Sequence, residues 1–161
     1  MERAGACGGE RGRPTERAVG KEEGRAILGE ALGEERGKVT VYRVLPPEGG
    51  APRVEVSFQA SGTILGVAET DIGTYSSVVR PDGTLFGEGH GVMTGQGGES
   101  ATWIGNGVGR MTGKGAAAIW RGAVYYQTSS PKWARLNGVA AVFEYETDEQ
   151  GNTTAKLWEW K

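Results

Sequence analysis

Leu85-Phe86-Gly87-Glu88-Gly89-His90-Gly91-Val92-Met93-Thr94, followed after a Gly-rich break by Ser100-Ala101-Thr102-Trp103-Ile104-Gly105-Asn106-Gly107-Val108-Gly109-Arg110, decides how this chain is read. Both stretches alternate with a period of two, which belongs to β-strands and not to helices. In each, one face is a stripe of glycines, and its neighbours are β-branched, aromatic or polar. An isolated glycine weakens a strand; a stripe of them marks a place where something packs directly on bare backbone and where the sheet can coil sharply.

The same period extends outward from this pair. Strands are expected at residues 38–45, 53–60, 63–79, 84–94, 100–112, 115–128, 138–147 and 153–161. Between them lie turn residues: Pro46-Pro47-Glu48-Gly49-Gly50, Arg80-Pro81-Asp82-Gly83, Gly95-Gln96-Gly97-Gly98, Thr112-Gly113-Lys114-Gly115 and Asp148-Glu149-Gln150-Gly151-Asn152. Short turns join antiparallel neighbours. The fold class is therefore all-β: an eight-stranded antiparallel up-and-down barrel, wound as a meander and closed so that no long edge is left exposed. Residues 38–161 form this barrel domain. Residues 1–37 form an N-terminal tail, disordered over 1–21 for want of apolar residues. A short helix is expected over 22–36, where Ile27, Leu28, Ala31 and Leu32 share a face and Gly24, Gly29 and Gly33 weaken it.

Composition narrows the function classes. The chain has 161 residues and a formal charge of −2, with Lys/Arg and Asp/Glu mixed along its length. No basic stripe is available to neutralise phosphates, so nucleic acid is not an expected partner. No apolar run is long enough to span a bilayer as a helix, and no apolar leader follows Met1, so neither a membrane nor an export role is expected and a cytoplasmic location is. The single cysteine, Cys7, excludes a disulfide framework. One histidine, His90, and no cysteine cluster argue against a metal site, and no cofactor is expected. The 29 glycines are about 18% of the chain against a usual 7% or so, without the triplet period of collagen.

Turn lengths assign the faces. A three-residue loop at Pro81-Asp82-Gly83 pairs Arg80 with Thr84 and sets Tyr75 opposite Gly89 and Ser77 opposite Gly87. A two-residue loop at Gly113-Lys114 pairs Thr112 with Gly115, Trp120 with Gly107 and Asn106 with Arg121. An odd loop at Gly95–Gly97 sets Trp103 opposite Gly89. The face carrying Glu69, Asp71, Tyr75, Trp103, Trp120, Tyr126 and the glycine stripes is expected to point inward. The opposite face, with Ile72, Val92, Ile104, Val108 and Ile119, is too apolar for a fully solvated surface, so the helix or another subunit is expected to cover it. In the last hairpin, Thr147 opposite Asn152 sets Val139, Ala141, Phe143 and Tyr145 on one core face with Trp158 and Trp160. Trp133 and Leu136, in the one long connection, are expected to plug the barrel end.

The candidate ligand-binding residues are Glu69, Asp71, Tyr75, Trp103, Trp120 and Tyr126. Glu69 and Asp71 are two apart on one strand and so point the same way; two carboxyls in a dry cavity would repel, and one would hold its proton near neutral pH as a general acid or base must. Weaker candidates are a His90–Glu88 pair and an Asn106–Arg121 pair, both more simply explained as outer-face contacts. No nucleophile-elbow serine and no phosphate loop is present, and no catalytic residue is assigned.

From Gly62 onward the chain resembles small bacterial barrel proteins of uncharacterised function. Gly87-Glu88-Gly89-His90-Gly91, Gly98-Glu99-Ser100-Ala101-Thr102-Trp103, Arg121-Gly122, Leu136-Asn137-Gly138, Phe143-Glu144-Tyr145-Glu146 and Trp158-Glu159-Trp160-Lys161 carry that resemblance. More distantly, in architecture, it is similar to the allene oxide cyclase and dirigent barrels. That likeness implies a Gly-rich eight-stranded meander, frequent trimers, and an interior that holds apolar reactive intermediates; no catalytic residue carries over. Three functions are thus expected in turn: a barrel binding a small apolar molecule in a cavity of a few hundred Å3, a filled structural barrel that forms homo-oligomers, and an isomerase- or cyclase-like enzyme using the same cavity.

Overall fold

The structure is a computed structural model that describes residues 28–161. Eight strands, β1 (Leu28–Glu48), β2 (Ala51–Ile64), β3 (Val67–Val79), β4 (Leu85–Gly95), β5 (Ser100–Met111), β6 (Ala118–Thr128), β7 (Ala141–Thr147) and β8 (Asn152–Trp160), run in sequence order around one closed antiparallel barrel. The expected fold class holds. The readings of residues 1–21 and 22–27, Cys7 included, lie outside the described residues.

Residues 28–36 are not helical. They are the first half of β1, paired with β8 from Leu28 opposite Trp160 to Lys38 opposite Asn152, and so they close the barrel. The glycines that weaken a helix here serve a strand. A Cβ on Gly33 or Gly37 would fall 2.0 or 2.1 Å from a carbonyl oxygen of β2, a separation no side chain tolerates. Gly62 is likewise inside β2, and the β2–β3 turn is Leu65-Gly66, both at positive φ (49° and 76°), as the tight two-residue hairpin turn requires. Beyond Lys38, β1 pairs with β2 alone among the described residues, so its second half is a free edge on which Val44 is 84% exposed.

Three other hairpins share one turn. Arg80/Thr84, Gly95/Glu99 and Asp148/Asn152 each enclose three residues, the third a glycine at φ 78–87° whose N–H returns to the first residue's carbonyl at 2.9–3.1 Å. At Pro81-Asp82-Gly83 this matches the expected register: Tyr75 lies opposite Gly89 and Ser77 opposite Gly87. Two registers shift by two residues. Trp103 lies opposite Gly91, not Gly89, and Trp120 opposite Gly109, not Gly107, because the β5–β6 loop holds four residues and the β4–β5 loop begins one later. A shift of two keeps every face assignment. It does separate Asn106 from Arg121: Arg121 instead bonds Glu144 of β7, Nε to Oε1 at 3.1 Å.

The last hairpin differs by one, and its faces invert. The Asp148 carboxylate accepts from the N–H groups of Gln150 and Asn152, which sets Thr147 opposite Thr153. Leu157 and Ala155 therefore join Phe143 and Tyr145 inside, while Trp158 sits opposite Val142 on the outer face and Trp160 is exposed. The closing strand is not anchored by two indoles.

A 3-10 helical segment, Pro131–Gly138, closes one end of the barrel. Trp133 and Leu136 are fully buried in it, and Trp133 Nε1 donates to the Ile64 carbonyl at 3.3 Å. Leu32, Ile64, Met93 and Leu157 pack around this plug. Around the other end a smaller cluster gathers on Leu85, Ala118 and Trp120. Among the described residues no helix covers the outer face: Ile72, Ile104, Val108 and Tyr125 are about half exposed on β3, β5 and β6.

Candidate functional site

Strand pairing brings the inward face together rung by rung. On β3, Glu69 lies opposite Gly62 of β2, and Gly62 lies opposite Glu35 of β1, so two carboxyls flank a residue with no side chain. One rung along the same face, Asp71 lies opposite Ala60. All three acids are buried, and Glu69 and Asp71 are 3% and 4% exposed. Every Lys, Arg and His among the described residues is exposed except Arg53, which is half-buried and 3.6 Å from Glu48. The interior thus holds three acids and no base.

Burial sets the charge state of these groups. It pushes Glu69 up to about 7, with Asp71 adding repulsion. It pushes Asp71 up to about 6 against the lowering effect of the Trp103 N–H. Glu35 is raised well above the carboxylate range by burial and then by Asp71 and Glu69. Trp103 Nε1 donates to both Asp71 oxygens at 2.9 and 3.1 Å, whereas neither oxygen of Glu69 has a side-chain partner. Tyr126, also buried here, is raised by burial and by the same three acids.

The rings rest on the glycine stripes. A Cβ on Gly91 would lie 2.5 Å from the Trp103 ring and one on Gly109 2.6 Å from the Trp120 ring. Phe58 stacks on Trp103 with centroids 6.3 Å apart at 26°, and Tyr75 meets Trp120 edge-on at 5.7 Å, both within the range of favourable ring pairs. Beside glycines 87, 89, 105 and 107 a cavity of about 110 Å3 remains, walled by Phe58, Trp103, Trp120 and Tyr145 and by the carboxyl residues Glu35 and Asp71. One polar atom in its wall is unpartnered: Trp120 Nε1, on a residue 7% exposed.

Of the six residues expected at the site, Asp71, Tyr75, Trp103, Trp120 and Tyr126 line the cavity, and Glu69 lies buried beside Asp71 without lining it. Glu35 is an addition. Its signal, the alternation Gly33-x-Glu35-x-Gly37, stands in the sequence but was obscured by the helix expected there. His90 and Glu88 are exposed on the outer face. Among the described residues, no three His, Cys, Asp or Glu groups come together as metal ligands would.

No family model matches this chain, and no curated protein does. Solved structures do. A protein of unknown function from Clostridium acetobutylicum superposes with a TM-score of 0.71 at 16% identity, over 82% of this chain and 95% of that one. A β-barrel-like protein from Acinetobacter baumannii gives 0.70 at 12% identity, over 82% and 94%. An enzyme from Penicillium herquei gives 0.58 at 17% identity, over 81% and 92%. At such identities the likeness establishes the barrel fold that this chain shares with bacterial proteins of unknown function.

Proposed function

We propose that the barrel interior binds a small molecule with an apolar body. The cavity of about 110 Å3 among Phe58, Trp103 and Trp120 carries this reading. It is smaller than the few hundred Å3 expected and well below the usual 300 Å3 or more of drug-sized sites. An apolar void of about 150 Å3 is enough for benzene, so the ligand is restricted to about half a dozen heavy atoms. The test is titration with 1-pentanol or benzene, watched through the indole N–H signals of Trp103 and Trp120. Saturable shifts at both are expected; indole signals unmoved to the solubility limit would sink the proposal.

The small volume also favours a second reading, a well-filled barrel that works through its surface. The exposed belt of Ile72, Ile104, Val108 and Tyr125 is the contact it would offer to further copies of the chain. Light scattering decides this, with a monomer at high concentration counting against it. An isomerase- or cyclase-like activity, as the resemblance to the allene oxide cyclase and dirigent barrels implies, draws its support from Asp71, a cavity-wall carboxyl that titrates near neutrality.

A further inference from the structure

The charge inventory of the interior says more about the ligand. Glu35, Glu69 and Asp71 are buried together, and no cationic side chain among the described residues is buried with them. A buried carboxylate without a counter-charge is costly, and burial answers that cost by holding a proton on these groups to higher pH than on a free carboxyl. A ligand that brought its own positive charge would remove the penalty. The walls suit such a guest: the faces of Trp and Tyr rings attract a desolvated cation. A second, independent observation lies elsewhere in the cavity wall. Trp120 Nε1 is a donor with no acceptor, on a side chain more than nine-tenths buried that lines the same cavity. Buried polar atoms normally have partners.

We propose that the ligand of this cavity is a small protonated amine carrying an acceptor oxygen, its ammonium set against Asp71 and Glu35 and its oxygen against Trp120 Nε1. This rests on the small-molecule reading given above and adds the chemical class. The volume of about 110 Å3 limits the body between the two ends to a short alkyl chain.

The experiment compares 4-amino-1-butanol with 1-pentanol, which has the same number of heavy atoms and no charge, by calorimetry near pH 8, where the carboxyls are readiest to ionise. The amine is expected to bind at least about tenfold more tightly, equivalent to about 1.4 kcal/mol, and to shift the Trp120 indole N–H. In Asp71→Asn the ratio should collapse towards one. That variant keeps an acceptor for Trp103 Nε1, and Glu35→Gln provides a second test of the same ratio. Equal affinities for amine and alcohol would overturn the amine class while leaving the small-molecule reading in place. A preference that survives both substitutions would place the cation elsewhere and overturn it too. Binding of neither compound would sink both.

Discussion

Gly91→Ala tests whether the glycine stripes are seats for rings. Residue propensity alone favours the change: glycine in a strand interior costs roughly 0.5–1 kcal/mol relative to alanine. The structure demands the opposite sign. The new methyl would lie 2.5 Å from Cε2, Cζ2 and Nε1 of Trp103. That ring has little room to retreat, because Phe58 stacks on it and Asp71 holds its N–H. Overpacking costs about 1–3 kcal/mol. Tilting the indole off Asp71 forfeits a buried hydrogen bond worth roughly another 1–3 kcal/mol. Net of the propensity gain, a loss of about 1–5 kcal/mol is expected in urea denaturation, together with a displaced Trp103 indole signal. Gly138→Ala is the control, since its Cβ would meet nothing within 4 Å, and it should be neutral or slightly stabilising. In a Trp103→Ala background the Gly91→Ala penalty should largely vanish, because the atoms it strikes are gone. A Gly91→Ala protein within about 0.5 kcal/mol of wild type, or an equal penalty in both backgrounds, would refute the reasoning.

Stability should fall as pH rises from about 5 to 7 and then level off. Glu69 and Asp71 have folded-state pKa values of about 7 and 6, above the values of 4.5 and 3.8 they take when free. The native state therefore binds more protons across that window, and each ionising carboxyl costs up to about 1.4 kcal/mol per pH unit. Groups with lowered values, such as Asp82 and Asp148, are already ionised there and leave the window to the interior acids. Denaturation at a series of pH values checks the slope, and a barrel more stable at pH 8 than at pH 5 would contradict it. Glu69→Gln should flatten that slope, stabilising the barrel by about 1 kcal/mol or more near pH 8 and little near pH 5, because it removes a charge whose oxygens have no side-chain partner. Trp133→Ala should cost about 3–5 kcal/mol, since it empties the plug and strands the Ile64 carbonyl; a loss below about 1 kcal/mol in the same assay would mean that the segment merely covers a barrel that closes without it.

The legible parts of the sequence were those in which local chemistry and period agreed. Pro81-Asp82-Gly83 fixes a loop length through proline's φ, the Asp82 side chain and a left-handed glycine, and the β3–β4 register followed. The faces of β4, β5 and β6 were also right although two loops were misjudged, since both errors were even. At Asp148–Asn152 the deciding contact is one carboxylate accepting two backbone N–H groups, which no periodicity reveals; the expected register, off by one, sets Trp158 and Trp160 inward where the structure turns them outward. Glu35 was missed for a different reason. Gly33 and Gly37 read locally as helix breakers, and only the neighbouring strand, too close to admit a Cβ, explains them. Glu69 and Asp71 could be found from spacing alone, but their want of a basic partner depends on all eight strands.

The β1–β8 seam has a consequence for motion. Every other strand pair joins neighbours in the chain, so the meander can assemble hairpin by hairpin; the seam joins the two ends of the described chain and bears the largest loop-closure entropy. It is the natural last step of folding and the natural first place to breathe. Glu35 on β1 and Thr153 and Ala155 on β8 stand on that seam and also in the cavity wall. A gap opened there would begin to unmake the barrel and bare the cavity at once, so a molecule filling the interior against both strands would also latch the fold's final closure.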